Sequence, residues 1–279
     1  MGPISKEAFE AICAYVYGLT GITLDKSKTY LVETRLGGLV GELGLSGYAA
    51  LLAKAKADPA RQLEKQIIDA ITTNETLFFR DSAPFELLRE KILPEIKLKS
   101  GKSGLPGRSA PIRIWSAACS TGQEIYSIAI TAREALNGGG ANIRLIGSDI
   151  SEAAMAAARE AVYSKFEIDR GMPERLLGKY FTPHGRKWRL CPEVRSMAEF
   201  RKVNLMGPLE AMGKFDVIFC RNVAIYFSQA DKARLFERLA KCLTADGYLI
   251  IGSTESLRGV SPVFELKMHG RAAYYQIKS

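Results

Sequence analysis

The chain has 279 residues, and a 47% hydrophobic content supplies a packed core and excludes a disordered protein. A formal charge of +9 suits an anionic partner, while five scattered cysteines and two histidines show neither a disulfide framework nor metal-ligand spacing. No basic-then-apolar leader opens the sequence and no apolar run reaches membrane-spanning length, so a cytoplasmic protein without membrane insertion is expected.

Residues 1–95 read as a small helical bundle. Ser5 caps a first helix carrying Phe9, Ile12, Cys13 and Val16 on one face and ending near Gly18. Leu31, Leu36, Leu39, Val40 and Leu43 mark a second, broken around Gly41 and Gly44. Residues 46–57 and 60–71 give a third and a fourth. Residues 96–111 read as a basic linker, with Gly, Ser and Pro crowded into 100–111. Lys97, Lys99, Lys102, Arg108 and Arg113 have no acid among them. A second basic region lies between Lys165 and Lys202, and both suit a nucleic acid or an acidic protein.

Beyond the linker, strands at 112–116, 143–148, 215–220 and 247–252 alternate with helices at 122–136, 151–161 and 229–243. That alternation predicts an α/β domain over 112–279 with a mainly parallel, doubly wound sheet. Between about 180 and 203 the pattern changes. Trp188, Leu190, Val194 and Phe200 sit in short pieces broken by Pro183, Gly185 and Pro192, which reads as a small β insertion. Ala272 to Ile277 adds an edge strand.

The stretch from Arg113 to Glu124 carries the first chemical signal: a short apolar strand turns through Ala117, Ala118, Ser120 and Gly122 into a helix. Small residues there let the backbone approach a ligand at the carboxyl end of a sheet. The next strand ends in Asp149, where a carboxylate meets ribose hydroxyls in nucleotide-type sites. The turn lacks the G-x-G-x-x-G of dinucleotide sites, so an adenosine cofactor without phosphates, such as S-adenosylmethionine, fits better. An ordinary ligand-free turn between strand and helix is the competing reading, with Asp149 capping the helix at Ser151.

Two further clusters stand out, Thr72 to Asp81 (TTNETLFFRD) and Phe215 to Phe227 (FDVIFCRNVAIYF). Taken with the first, in this order and spacing, they resemble the chemotaxis receptor methyltransferases known as CheR over nearly the whole chain. The resemblance implies a small helical domain joined to a class I, Rossmann-like S-adenosylmethionine methyltransferase domain with an inserted antiparallel β-subdomain. It implies methylation of glutamate side chains on cytoplasmic chemoreceptor helices, yielding glutamyl methyl esters and S-adenosylhomocysteine without a metal. It also implies a monomer whose partner is the acidic receptor, not nucleic acid or membrane.

Residue by residue, the resemblance assigns Asn74, Thr76 and Arg80 to the cofactor from the inter-domain side. Glu124 falls at the cofactor's amino-acid end and Asp149 at its ribose. Asn204 and Leu205 fall near the adenine, Arg221 and Asn222 line the same crevice, and Tyr226 faces the substrate carboxylate. The family also places an arginine near that carboxylate in the segment joining the domains, where Lys97 and Lys99 stand here. The hairpin Phe181 to Arg189 is short, which predicts a member that does not depend on a receptor C-terminal tether.

The residues leave plainer roles open. Asn74 and Thr76 suit a nearby helix cap, Arg80 a surface pair with Asp81 or Glu86, and Tyr226 the core. A nucleic-acid methyltransferase is the main alternative, but Arg221-Asn222-Val223-Ala224 lacks the prolines of a flipped-base motif. A catalytically silent adenosylhomocysteine sensor is the other.

Overall fold

The computed structural model describes residues 3–101, 111–136 and 143–278. Four helices open the chain: α1 (Lys6–Thr20), α2 (Thr29–Glu42), α3 (Tyr48–Ala57) and α4 (Gln62–Ile71). Ser5 accepts from the Ala8 N–H at the start of α1, and Phe9, Ile12 and Val16 are buried. The helix continues through Gly18 and stops at Gly21, whose φ of 75° lets its N–H close the last turn on the Tyr17 carbonyl. Likewise α2 is unbroken at Gly41, because Val32, Leu36 and Val40 bury one face along its length. An interior glycine costs only about 1 kcal/mol, less than those contacts supply.

Helices α5 (Ala83–Leu87) and α6 (Leu93–Gly101), with a π-turn at Leu88–Ile92 between them, form one rod. The expected linker is therefore helical as far as Gly101, because Ile92 and Leu93 anchor the rod in the main core. Its remainder, with Lys102 and Arg108, lies outside the described residues, as does the side chain of Lys99.

The strands are β1 (Ile112–Ala117), β2 (Ile143–Asp149), β3 (Val162–Ser164), β4 (Phe181–His184), β5 (Lys187–Leu190), β6 (Ala198–Lys202), β7 (Phe215–Cys220), β8 (Leu243–Ile251), β9 (Phe264–His269) and β10 (Ala272–Ile277). Among them run α7 (Gln123–Ala135), α8 (Glu152–Glu160), α9 (Lys165–Asp169), α10 (Glu174–Tyr180), α11 (Pro192–Arg195) and α12 (Gln229–Cys242). A seven-stranded sheet has the order β6-β2-β1-β7-β8-β10-β9. It is parallel from β6 to β8 and antiparallel beyond. The central strands β1 and β7 are buried on both faces, as their continuous apolar runs require.

The structure redraws the edges of this domain. Residues 198–202 leave the insertion and join the main sheet as β6, parallel to β2, where Phe200 packs edge-on against Tyr126 at 6.0 Å. The inserted sheet is β3-β5-β4, antiparallel, and starts earlier, at Val162. β10 is not the edge; it lies between β8 and β9 with Tyr274 and Tyr275 buried, and β9 takes the rim with Leu266 and Met268 exposed.

Glu134 fastens the insertion to α7. Its carboxylate accepts from Lys179 at 2.5 Å, Tyr180 at 2.6 Å and Arg175 at 3.1 Å. The Lys179 and Tyr180 hydrogen bonds outweigh desolvation and hold its pKa down, from 4.5 to about 2. A depressed carboxyl stabilises the fold above its unfolded pKa and loses that contribution as pH falls through the folded one. Glu134→Gln should therefore cost about 1–2 kcal/mol at pH 7 after allowing for solvent screening. In urea titrations the difference should shrink between pH 4.5 and about 2.

Candidate cofactor and methyl-transfer cleft

The functional cleft opens at the carboxyl ends of β1, β2 and β7, where the strand order reverses and open parallel sheets hold ligands. It encloses about 900 Å3, its mouth included. The residues that the resemblance assigns to cofactor and substrate border it: Asn74, Thr76, Arg80, Glu124, Asp149, Asn204, Leu205, Arg221, Asn222 and Tyr226.

The floor is the turn after β1. Ala118 and Ser120 take left-handed backbone angles, φ 63° and 50°, and their small side chains keep the turn low against the cleft. The Ser120 N–H donates to Asp149 Oδ2 at 2.9 Å, and the Ser151 N–H donates to Oδ1 at 3.0 Å. Asp149 thus braces the β1 and β2 turns. Ser151, not Asp149, caps α8 by accepting from the Ala154 N–H. Burial raises the Asp149 pKa above its ordinary value, against the backbone hydrogen bonds that lower it.

Residues 72–82 join the bundle to α5 and form one wall. Phe78 is fully buried, edge-on to Tyr163 at 4.9 Å and Phe181 at 5.6 Å. The Phe79 N–H donates to Ser127 Oγ, and Ser120 Oγ donates to the Asn74 carbonyl. Asn74 and Thr76 do not cap α5, which starts beyond Ser82. Among the described residues Arg80 forms no ion pair with Asp81 or Glu86; its Nη1 reaches the Glu75 carbonyl at 3.4 Å.

Arg221, just after β7, is buried with its side chain 1% exposed. Its Nη1 donates to Glu124 Oε2 at 3.0 Å, and its Nη2 donates to the Arg80 carbonyl at 2.7 Å and Asp81 Oδ2 at 2.9 Å. Glu124 Oε1 accepts from Ser116 Oγ at 2.7 Å. Both Glu124 oxygens are thus engaged, and Arg221 ties the joining wall to α7.

The helical bundle supplies a further wall that sequence reasoning missed, Thr20 and Ile22. The Thr23 N–H donates to the Tyr226 carbonyl, Asn204 Nδ2 donates to the Leu19 carbonyl at 2.8 Å, and the Tyr17 hydroxyl donates to Asp231 at 2.9 Å. A Cβ at Gly21 would lie 2.3 Å from Met206 Cγ, so the close approach of α1 needs glycine there. Ala118 and Ser120 of the small-residue turn border the cleft as well, while Ile150, Val203, Val223 and Phe227 were legible only as neighbours of the named residues.

The cleft lining sets Glu75, Glu124 and Asp149 against Arg80 and Arg221, and Lys97 does not border it. Burial pushes the thiols of Cys119 and Cys220 well up, which removes them as nucleophiles. Among the described residues no group of His, Cys, Asp and Glu is placed to hold a metal ion, and no helix is long and apolar enough to cross a membrane.

A parallel sheet with an antiparallel final pair and a ligand cleft beyond β1, β2 and β7 is the architecture of a Rossmann-like methyltransferase domain. Comparison with known proteins adds the family. Residues 74–272 match the CheR methyltransferase SAM-binding domain and residues 7–72 its all-alpha domain. The chain is 37% identical over 275 residues to the Chemotaxis protein methyltransferase Cher2 of Pseudomonas putida, covering 97% of this chain and 98% of that protein. It is also 37% identical over 279 residues to Chemotaxis protein methyltransferase 1 of Vibrio cholerae, covering 99% and 98%. The chain belongs to the CheR methyltransferase family and is an S-adenosylmethionine-dependent methyltransferase.

Proposed function

We propose that this chain methylates glutamate side chains on the cytoplasmic helices of chemoreceptors, for adaptation in chemotaxis, acting as a cytoplasmic monomer. The observation that carries this reading is the convergence of Arg80 and Tyr226 on the cleft that holds Asp149. The residues fit the cofactor: a carboxylate for ribose hydroxyls and a low turn of small residues. Asp149 would hold the ribose, Asn204 and Leu205 the adenine side, and Glu124, Asn74 and Thr76 the amino-acid end.

Bound S-adenosylmethionine supplies an electrophilic sulfonium methyl. A glutamate is already ionised at neutral pH, so the chain needs no general base to prepare its acceptor. Arg80, assigned by the resemblance to the cofactor from the inter-domain side, also attracts the carboxylate, and among the described residues it has no buried ion pair that would blunt it. The Tyr226 hydroxyl orients the carboxylate, and Val223 and Phe227 keep water from the reacting atoms. The rate enhancement then comes from proximity and alignment.

Mass spectrometry of a purified receptor cytoplasmic domain, incubated with this chain and cofactor, tests the reading. Methyl increments on glutamates support it; increments only on lysine or none at all overturn it. Tether independence is supported by the tight β4–β5 turn, where only Gly185 and Arg186 join the strands. Receptor lacking its last residues should bind with affinity within about twofold of intact receptor, since no contact is lost; a tenfold weakening, about 1.4 kcal/mol, would contradict this.

A further inference from the structure

Glu255 lies in the loop after β8 and belongs to no element. Its Oε2 accepts from two backbone donors on different turns, the Asn222 N–H at 2.7 Å and the Gly252 N–H at 2.8 Å. Its Oε1 is also buried and has no hydrogen-bond partner among the described residues. A buried acceptor left unmatched is a cost that folds seldom keep without a use. Asn222 is held left-handed, φ 57°, at the point where the chain leaves β7 for Tyr226. Gly252 is shaped to the same contact: a Cβ there would lie 2.6 Å from Glu255 Oε2 and 2.7 Å from Asn222 Nδ2.

We propose that Glu255 is a positioning residue for methyl transfer: its carboxylate stitches the β7 and β8 turns together and so fixes the Asn222–Tyr226 segment on the cleft. This rests on the role proposed for Tyr226. Glu255 does not border the cleft and does not touch the reacting groups. Its effect reaches them through the backbone of Asn222. A small displacement of an aligning group costs turnover more than cofactor affinity.

The test compares Glu255→Ala, Glu255→Gln and Gly252→Ala in the full chain with receptor domain as substrate. Glu255→Ala should lower kcat about tenfold or more, with S-adenosylhomocysteine affinity held within about threefold, the signature of lost alignment. Glu255→Gln keeps an oxygen able to accept from both N–H groups and should recover most of that loss. Gly252→Ala should reproduce the alanine phenotype, and the double variant should be no worse than either single one, because both break the same contact. Amide hydrogen exchange at Asn222 should quicken in Glu255→Ala and stay slow in Glu255→Gln.

Unchanged kcat in Glu255→Ala, or additive losses in the double variant, would overturn the proposal. If Glu255→Ala fails to fold, Gly252→Ala and Glu255→Gln decide it. If the natural chain itself methylates no glutamate, the functional reading fails; Asn222 exchange then decides the stitch separately, unchanged protection overturning it.

Discussion

Replacing Asp149 with alanine should weaken S-adenosylhomocysteine binding about 100-fold or more, because the proposed ribose role has both hydroxyls donating to this carboxylate. The side chain has a second duty, accepting from the Ser120 and Ser151 N–H groups, so thermal melting must accompany the calorimetry. Asp149→Asn keeps the shape and one acceptor and should sit between the two. The pH dependence follows from burial. A carboxyl whose folded pKa is raised stabilises the fold below its unfolded value and loses that contribution as pH rises through the folded one. Ionised Asp149 is therefore costly in the free chain, and in the proposed role ribose hydroxyls would relieve that cost. Affinity should fall as pH drops through the raised pKa, and Asp149→Asn should flatten the profile. Unaltered affinity in a folded Asp149→Ala protein would remove Asp149 from the cofactor site.

Arg221→Met should cost about 3–5 kcal/mol of stability, the range for breaking a buried pair from one side. Two carboxylates, Glu124 and Asp81, would lose their shared cation, and the Arg80 carbonyl would lose its donor. The melting temperature should fall by roughly 10 °C for a chain of this size. Arg221→Lys should recover little, because a single ammonium cannot reach three partners spread across a planar fork. Combining Glu124→Gln with Arg221→Met should restore part of the loss by removing one stranded charge. A melting point within 2 °C of the natural chain would show that the cluster contributes little, as exposed pairs do.

The sequence made the central architecture legible for a physical reason. Strands β1 and β7 are buried on both faces and so read as unbroken apolar runs, and the low turn after β1 reads as small residues. The cleft residues were legible because they sit at strand ends and in the joining segment, where side-chain chemistry is unusual. What was hidden is held by backbone. α1 reaches the cleft through the Thr23 N–H and the Leu19 carbonyl, which any residue could supply. Only Gly21 marks that approach, and the sequence reading ends the helix near Gly18 instead. β6 was absorbed into the insertion because Phe200 follows short broken pieces, and nothing local announces its pairing with β2. β9 alternates Phe264, Leu266 and Met268 with polar residues but shows two of its three apolar side chains to solvent, which blurs its inward face. Lone acids such as Glu255 carry no spacing signal at all.

The most direct measurement is the fate of the transferred methyl. Pure protein would be incubated with methyl-labelled S-adenosylmethionine and fractionated cell extract, and the products treated with alkali. Label in the membrane receptor fraction that leaves as volatile methanol is the predicted result, since only a carboxyl methyl ester releases it. Alkali-stable label in RNA or DNA would contradict the account and move the chain to nucleic-acid methylation. Cofactor binding with no label transferred to any fraction would contradict it too, in favour of a sensor.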